Sequence, residues 1–441
     1  MRRFASLLPA VLLLGAFLLP SGPANAIEVQ KVTSPSGISA YLVEDPSLPV
    51  ISITAYFKAG GIYDPPGKGG LANMASALID EGSGDLDSQA FQDKLADLAI
   101  ELRFDAGRDG FSMDLRTTTE RLEEAITLSH GALTAPRFDA EPVERIRSQL
   151  LARLRQDATD PGAQASRAFY KAVFGDHPYG RPRDGTPESV AAITRDDLVT
   201  FAQTRLYREG LSIGVAGDIT AEALGLVLDQ LFADLPAGPP AGEAPIPDPT
   251  PSFPGGVQVI DADIPQSQAL FGHAGILRSD PDWQAAHAIN YILGGGGFVS
   301  RLMTEVREKR GLAYSVYSYL LPLDQTGLWI GGVATQNARL KESLDTIAAE
   351  WTRMASDGPT EQELADAKTY LTGSWPLRFT SSGRIAGMLA SMMEHDLPTD
   401  YIDTRNSEIE ALTIEQLRAV AQRLLDPEAL TTVVVGRPDG V

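Results

Sequence analysis

The stretch Leu293-Gly-Gly-Gly-Gly-Phe298, continued by Ser300-Arg-Leu-Met-Thr-Glu-Val-Arg-Glu-Lys-Arg-Gly-Leu-Ala-Tyr314-Ser-Val-Tyr317, is the most informative part of this chain. A run of glycines permits close approach of an extended peptide to the backbone, and it also suits a flexible turn between two helices. Both interpretations stay open. No Gly-Lys-Ser/Thr follows the run, which argues against a phosphate-binding loop. The predicted peptide contacts are Gly294, Gly295, Gly296, Gly297 and Phe298.

The same stretch resembles the C-terminal half of pitrilysin/insulinase-family zinc peptidases. In that family a glycine loop, a helix, an arginine and a tyrosine seven residues later recur, and the matching positions are Arg307 and Tyr314. The resemblance includes Phe174-Gly-Asp-His-Pro-Tyr-Gly180 and covers nearly the whole chain. The glycine run is similar to the loop that marks the non-catalytic subunit of the mitochondrial processing peptidase.

The resemblance implies a role for Arg307 and Tyr314 at a zinc site. In the family these two side chains reach the metal from the opposite domain and donate hydrogen bonds to the substrate carbonyl as charge develops on it. A fixed guanidinium and a fixed phenol lower the barrier by preorganised electrostatics. In the alternative interpretation Arg307 pairs with a nearby carboxylate and Tyr314 is an ordinary strand residue.

Active family members carry H-x-x-E-H on an early helix, where two histidines bind zinc and the glutamate activates water. The corresponding segment reads Gly70-Leu-Ala-Asn-Met-Ala-Ser-Ala77. Asn73 and Ala77 stand at the histidine positions and Ser76 stands at the position of the base. Alanine offers no donor atom, neutral asparagine is a poor ligand, and serine does not replace glutamate as a base near neutral pH.

The third zinc ligand of the family is a glutamate on a later helix. The best alignment puts Arg153 there, with Asp157 close enough to leave the register open. A cationic arginine would repel the metal. The sequence therefore predicts a degenerate zinc site at Asn73, Ser76, Ala77 and Arg153, with no metal and no cofactor in this chain.

Other metal or covalent chemistry finds no support. The five histidines are not paired at ligand spacing, and Glu394-His395-Asp396 is an isolated polar cluster. The chain has no cysteine and no G-x-S-x-G motif. The histidines are His130, His177, His273, His287 and His395.

The chain is predicted to be an internal duplication. Ile193–Leu206 aligns without gaps on Leu412–Leu425, and in each copy a capped amphipathic helix precedes a short apolar strand, Leu211–Ala216 or Leu430–Val435. The dipeptides beginning at Arg121 and Arg339 match at nearly the same offset.

Alternating segments at Ile51–Phe57, Glu101–Asp105 and Phe111–Arg116 predict half-buried strands. Apolar residues at helical spacing predict two helices, one through Leu122, Ile126 and Leu133 and one through Ile146, Leu150 and Leu154. The predicted fold class is α+β: two homologous domains, each a mainly antiparallel sheet with helices packed against it.

Composition divides the chain further. Residues 1–26 have a basic start, an apolar run and a small-residue end, which predicts a signal peptide cleaved after Ala26. The predicted N-terminal domain is 27–234, a Pro-rich linker covers 235–255, and the C-terminal domain is 256–441. We expect export, with the periplasm as destination and no transmembrane segment after cleavage.

The chain is acidic, with a formal net charge of -21, or -23 once Arg2 and Arg3 are removed. Phosphate would be repelled, so nucleic acid is not an expected partner. The charge could favour basic peptides, although acidity also serves solubility alone.

The predicted function is that of a non-catalytic subunit of a heteromeric zinc metallopeptidase. The chain would bind peptide substrate and supply Arg307 and Tyr314 to a zinc-bearing peptidase of the same family. Two alternatives stay open. One is a peptide-binding or scaffolding pseudo-peptidase without a catalytic partner, and the other is a self-sufficient peptidase with a displaced site.

Overall fold

The structure is a computed structural model, and it describes residues 27–242 and 245–441. The predicted signal peptide lies outside the described residues. Within these ranges, no helix combines the length and the hydropathy that crossing a bilayer requires.

Eleven strands form two sheets, one in each half of the described chain. In the first sheet the order is β1-β2-β6-β3-β5-β4, and in the second it is β7-β11-β8-β10-β9. All neighbouring pairs are antiparallel except β2 with β6 and β7 with β11. The strands are β1 Gln30–Thr33, β2 Ser39–Glu44, β3 Val50–Phe57, β4 Glu101–Ala106, β5 Phe111–Thr118, β6 Ser212–Gly217, β7 Val257–Asp261, β8 Gln266–Ala274, β9 Val316–Pro322, β10 Gly327–Gln336 and β11 Thr431–Gly436.

Helices cover both sheets, which confirms the predicted α+β class. They are α1 Leu71–Ser76, α2 Ser88–Asp97, α3 Leu122–Thr134, α4 Ala140–Asp157, α5 Pro161–Phe174, α6 Pro187–Ala192, α7 Arg195–Arg205, α8 Ala221–Phe232, α9 Trp283–Asn290, α10 Asn337–Asp357, α11 Glu361–Gly373, α12 Ser382–Glu394, α13 Tyr401–Ala411 and α14 Ile414–Leu424. The three strands predicted from alternation are β3, β4 and β5, and the two predicted helical faces belong to α3 and α4.

The predicted repeat is visible at the end of each half. Thr194 and Thr413 cap α7 and α14 by accepting a hydrogen bond from the third residue of each helix, which satisfies one free N–H group. The strands that follow, β6 and β11, are completely buried. Each ends at a glycine in the left-handed region, with φ of 134° at Gly217 and 145° at Gly436. A side chain there would be strained.

The two halves exchange a helix. Helix α5 of the N-terminal half packs on the C-terminal sheet, where Phe169 and Val173 belong to the same buried apolar cluster as Ile330 and Val433. Helix α12 of the C-terminal half packs on the N-terminal sheet, where its apolar face meets β6. At Gly214 a Cβ atom would collide with the backbone of α12 at Ala386. Each sheet is therefore covered on one face by its own helices and on the other by a helix of the opposite half.

The Pro-rich segment has no helix or strand among its described residues. It is nevertheless attached to both halves. The Ser252 N–H donates to the Val173 carbonyl at 2.8 Å, and Gln325 Nε2 donates to the Ile246 carbonyl at 3.3 Å. The domain boundaries at 234 and 256 stay a prediction, and the packing of α5 and α12 crosses them.

Candidate functional site

A cavity of about 320 Å³ opens beside β9, the edge strand of the C-terminal sheet. We call it the arginine–tyrosine cavity. It brings together Arg307, Tyr314, Phe298 and most of the glycine run, which are the residues predicted for substrate contact. Its lining is Gly294, Gly295, Gly297, Phe298, Met303, Arg307, Tyr314, Ser315, Val316, Tyr317 and Ser318.

Arg307 lies on a π-helical turn, Met303–Glu308, at the rim of this cavity. Its guanidinium carbon is 4.6 Å from the ring centroid of Phe298 and 4.6 Å from that of Tyr314, so two cation–π contacts fix its position. The neighbouring cations Lys309 and Arg310 both pair with Glu305. Arg307 itself makes no ion pair and no side-chain hydrogen bond with any residue in the described ranges. Its N–H donors remain available to a group from another molecule.

Tyr314 is the most exposed large apolar or aromatic side chain of the described residues, at 81%. It lies two residues before β9 begins and is therefore not a strand residue. Its hydroxyl makes no hydrogen bond within the described part of the chain. Phe298, which lines the same cavity, is also exposed. Neighbouring exposed aromatic rings are typical of a surface that contacts another molecule.

The glycine run is ordered and closely packed. Tyr291–Gly295 forms a π-helical turn, and a Cβ atom at Gly294 would collide with the Oγ of Ser318 on β9. Side chains at Gly295 and Gly296 would also meet neighbouring atoms, at 2.5 Å and 2.7 Å. Only Gly297, with φ of 60°, faces open space. Three of the four glycines are thus required by packing within the chain, which argues against a flexible turn.

A buried amide holds the walls of the cavity together. Asn290 Oδ1 accepts a hydrogen bond from the Ser318 hydroxyl at 2.8 Å and another from the Trp329 indole at 3.0 Å. Both bonds are buried, where an unpaired partner is costly. Asn290 thereby fixes β9 against the helix that leads into the glycine run. Sequence reasoning missed this residue, because an isolated asparagine in a helix carries no local signal.

Helix α1 carries the segment that corresponds to the zinc helix. It is only six residues long and begins after Gly70, which has φ of 87°. The carboxylate of Asp64 accepts hydrogen bonds from the backbone N–H groups of Gly70, Leu71 and Ala72, at 2.7, 3.1 and 2.9 Å. Burial raises the pKa of Asp64 to about 7 although these three donors oppose the shift. Asp64 is a structural cap that sequence reasoning did not identify.

The residues at the ligand positions of α1 have no metal-binding chemistry. Ser76 is buried, and its hydroxyl donates to the Asn73 carbonyl at 2.9 Å. The Nδ2 of Asn73 is buried without a hydrogen-bond partner in the described structure, and Ala77 presents a methyl group. A zinc ion does not fit this set, because two imidazoles are replaced by an amide and a methyl group.

Arg153 lies on the exposed side of α4, where its side chain is 59% accessible and is 3.9 Å from Asp157. Arg153 lines neither the arginine–tyrosine cavity nor a second, larger cavity between the two halves, described below, whereas Asp157 lines that second cavity. The register of the third ligand stays a prediction.

The five histidines lie in separate places, some in the core and others near the surface. Burial lowers the pKa values of His273 and His287 to about 4, and His273 Nε2 accepts a hydrogen bond from Trp351 at 2.8 Å. His177 Nδ1 accepts from the Tyr179 N–H. His130 lies 3.4 Å from the exposed carboxylate of Asp234. In the described ranges, no group of three or more His, Cys, Asp or Glu side chains has an arrangement that could hold a metal ion.

A second cavity, of about 650 Å³, lies between the two halves, and we call it the central cavity. Asp109 accepts hydrogen bonds from the Tyr179 hydroxyl and from the Asp324 N–H, so it joins both halves. Burial raises the pKa of Asp109 to about 6 and that of Glu394 to about 7. Burial also lowers the pKa of His395. Glu394 and His395, predicted to be an isolated cluster, therefore line a cavity between the halves.

Comparison with known proteins shows which sequences and structures this chain is similar to. Residues 192–371 match the family described as Peptidase M16 inactive domain. YmxG of Helicobacter pylori, named a non-peptidase homolog, is 26% identical over 424 residues, which cover 96% of this chain and 97% of the relative. An uncharacterized zinc protease of Mycobacterium leprae is 28% identical over 408 residues and covers 91% of each chain.

Solved structures have the same fold. The crystal structure of a peptidase M16 inactive domain from Pseudomonas fluorescens superposes with a TM-score of 0.87 at 31% identity, covering 93% of this chain and 98% of the other. A protease from Helicobacter pylori has a TM-score of 0.83 at 18% identity, which shows the fold alone. The resemblance to pitrilysin/insulinase peptidases is confirmed: this chain belongs to the M16 peptidase family, and it is a non-catalytic member of that family.

Proposed function

We propose that this chain is the non-catalytic subunit of a heteromeric zinc metallopeptidase. It binds peptide substrate and supplies Arg307 and Tyr314 to the zinc site of a partner from the same family. The observation that carries the proposal is the pair itself: a guanidinium and a phenol at the rim of one cavity, neither with a hydrogen-bond partner among the described residues.

The chemistry of the pair suits peptide hydrolysis. The substrate carbonyl gains negative charge when water attacks it, and both side chains donate to an oxygen. Cation–π contacts hold Arg307 before substrate arrives, so little reorganisation is needed when charge develops. Zinc, bound by the partner, would activate the water, because α1 offers no ligands for it. The residue types retained here are those that act on the substrate.

Localisation belongs to the same proposal. Residues 1–26 have the composition of a signal peptide, and the chain has no cysteine, so core burial alone would stabilise it in an oxidising compartment. We propose export to the periplasm, where a zinc-bearing partner with its own signal peptide would join it.

Reconstitution tests the function. The mature chain, residues 27–441, is assayed alone and mixed with the zinc-bearing family member of the same organism, using unstructured peptides as substrate. We expect hydrolysis only in the mixture, and a loss of about 100-fold or more in kcat for Arg307→Ala. Arg418→Ala, an exposed arginine on α14, is the matched control and should retain full activity.

The outcome separates the alternatives. Activity that mixing does not change, or that Arg307→Ala leaves intact, contradicts the proposal. Peptide binding without hydrolysis in every mixture would favour the scaffolding pseudo-peptidase. Hydrolysis by the isolated chain would favour a displaced site.

A further inference from the structure

Three arginines of the C-terminal half lie close together without a carboxylate partner, and we call them the arginine cluster. Arg278 lies between β8 and α9, Arg378 ends the 3-10 turn Trp375–Arg378, and Arg405 lies on α13. Within the described part of the chain, none of the three makes an ion pair. The chain has 58 acidic and 37 basic residues, so carboxylates are abundant and three unpaired arginines in one place are unexpected.

Carboxylates near the cluster in sequence are engaged elsewhere. Asp280 and Asp282 follow Arg278 closely, yet both pair with Arg423 on α14, at 3.4 and 2.6 Å. On α13 the carboxylate of Glu408 accepts a hydrogen bond from an amide side chain of α9. These acidic groups therefore do not neutralise the arginine cluster.

Aromatic rings hold the three guanidinium groups in place. The guanidinium carbons of Arg405 and Arg378 are 4.1 and 5.9 Å from the ring centroid of Trp375. That of Arg278 is 5.3 Å from the centroid of Tyr401, whose ring is in edge contact with Trp375 at 6.4 Å. A guanidinium that stacks on a ring uses its flat face, whereas its N–H groups point outward in its plane. Stacking therefore leaves donors available to an anion.

The hydroxyl of Tyr401 adds a neutral donor to the cluster. It accepts hydrogen bonds from Arg278 Nη2 at 2.7 Å and from Gln284 Nε2 at 3.2 Å. A phenol that accepts two hydrogen bonds still has its own proton to donate. No residue in the described ranges accepts that proton, so it can be donated to an anion beside the arginines.

Burial makes the missing counter-charge costly. Arg301 and Arg405 are the two buried arginines of the described residues, with 8% and 5% of their surface exposed. Arg301 donates to both carboxylate oxygens of Glu363. The hydrogen bonds of Arg405 go instead to neutral oxygens, the carbonyl of Leu371 and the side-chain amide of Asn406. A buried charge without a counter-charge destabilises a fold, and a bound anion would remove this cost.

A buried histidine shows that the three charges converge. Burial lowers the pKa of His287 to about 4, and the charges of Arg405, Arg378 and Arg278 add to the effect. All three charges therefore lie close to one point of the fold, beside a neutral imidazole.

From these observations we propose that Arg278, Arg378 and Arg405 bind a small phosphate-type oxyanion, either inorganic phosphate or a phosphate monoester, with the hydroxyl of Tyr401 as a further donor. A phosphate group has at least three acceptor oxygens and close to two negative charges near neutral pH, whereas a carboxylate has two oxygens and one charge. Phosphate therefore matches three guanidinium groups better. The net charge of -21 disfavours a long polyanion or an anionic membrane, so the ligand is a small one.

The site is separate from the proposed function and needs no peptidase partner. It joins three segments: the loop after β8, the turn that precedes α12, and α13. Because α12 packs on the N-terminal sheet, a bound oxyanion would also fasten the segment that leads to this helix. Anion binding should therefore stabilise the folded chain.

Binding is measured on residues 27–441 alone by isothermal titration calorimetry, near neutral pH, in chloride buffer of constant ionic strength. We expect inorganic phosphate to bind with Kd below about 1 mM, and acetate to bind at least about tenfold more weakly. Glycerol phosphate, titrated in the same way, distinguishes the two sources of the oxyanion. Tighter binding of the ester than of phosphate would assign the site to a phosphate monoester, and the reverse would assign it to the free ion.

Arg378→Gln is the informative variant, because Arg378 is exposed and the fold tolerates its replacement. Loss of one charged donor should weaken phosphate binding about tenfold or more. Arg103→Gln, at an exposed position of β4 in the other half, removes the same charge and should bind phosphate as the unaltered chain does.

Thermal denaturation gives a result with a change of sign. In chloride buffer Arg378→Gln should raise Tm, because one of three like charges is removed. In phosphate buffer it should have a lower Tm than the unaltered chain, because it binds the ligand less tightly. If Arg378 only stabilised the fold by stacking on Trp375, the substitution would lower Tm in both buffers.

Four results would overturn the proposal: no binding of phosphate at concentrations up to about 10 mM, binding of acetate as tight as that of phosphate, an equal loss of binding in Arg378→Gln and Arg103→Gln, or a lower Tm of Arg378→Gln in both buffers.

Discussion

Helix α1 corresponds to the zinc-binding helix of active family members, and the arginine–tyrosine cavity holds the residues that we propose act on substrate. The two regions differ in which side chains they keep. At α1 the side chains that would carry chemistry are an amide, a hydroxyl and a methyl group, and the structural cap from Asp64 is intact. At the cavity Arg307 and Tyr314 are both present, and neither side chain has a hydrogen-bond partner among the described residues.

The difference shows which property each region serves. Asp64 accepts hydrogen bonds from three backbone N–H groups at the start of α1. It therefore stabilises the helix whether or not zinc is bound. Arg307 and Tyr314 add little to stability, because exposed cation–π contacts contribute about 0.5–1 kcal/mol. Their side chains are exposed, held in place and without a hydrogen-bond partner among the described residues. They are therefore better suited to contact another molecule than to stabilise the fold.

The largest expected effect concerns the cavity. In the reconstituted complex, Tyr314→Phe should lower kcat about 100-fold, because one donor to the developing charge is lost and the ring remains. The double variant with Arg307→Ala should lose less than the product of the single effects, since both groups act on one oxygen. Steady-state kinetics on the four combinations measures this coupling. Fully multiplicative losses would indicate separate roles.

The next effect concerns the cap of α1. Asp64→Ala should lower the free energy of unfolding by about 1–2 kcal/mol, because three N–H groups lose their acceptor. The variant should activate the partner normally at temperatures where it is folded. Chemical denaturation and the reconstitution assay check the two parts. A stable variant without activity would assign Asp64 to the reaction instead.

A pH dependence follows from the buried carboxyl groups. Burial raises the pKa values of Asp64 and Glu394 to about 7 in the folded state, far above their ordinary values. Between the ordinary pKa of each carboxyl group and its raised pKa, the folded chain therefore binds more protons than the unfolded chain. This contribution to the free energy of unfolding is lost as pH rises through 7. Lowering the pH from 8 to 6.5 should raise Tm. Glu394→Gln should reduce the change of Tm with pH, and an unchanged dependence would contradict the assignment of this effect to Glu394.

The buried histidines define the limit of that window. The pKa values of His273 and His287 are lowered to about 4, so the unfolded state binds more protons than the folded state below about pH 6.5. Their contribution opposes that of the carboxyl groups only in this more acidic range. The measurement is therefore made above pH 6.5.

The smallest effect is expected at the former ligand positions. Asn73→Ala and Ser76→Ala should each change the free energy of unfolding by less than about 1 kcal/mol and should leave activity unchanged. The Nδ2 of Asn73 already lacks a partner among the described residues, so its removal leaves no group unpaired. Thermal denaturation and kinetics of both variants check this. A loss of activity in either variant would contradict the conclusion that α1, unlike the arginine–tyrosine cavity, has no part in the reaction.

Local signals predicted much of this architecture from the sequence. Thr194 and Thr413 mark the starts of the repeated helices, and alternation located β3, β4 and β5, because capping and side-chain period are properties of neighbouring residues. The cavity residues were found through one continuous stretch, from Gly294 to Tyr317.

Features that depend on distant residues could not be predicted in this way. The apolar face of α5 shows that the helix is buried, and it does not show that the opposite sheet buries it. The central cavity brings Asp109 next to Asp324 and Glu394, which are more than 200 positions away in the chain. Asp64 lies outside the helix that it caps, and its role depends on the turn that folds it back.

Whether helix α1 binds zinc is tested by the zinc content of residues 27–441, purified without any partner, equilibrated with zinc and freed of unbound metal. Elemental analysis should find far less than one zinc per chain, with no change on Asn73→Ala. One tightly bound zinc per chain that is lost on Asn73→Ala would show that α1 still forms a zinc site.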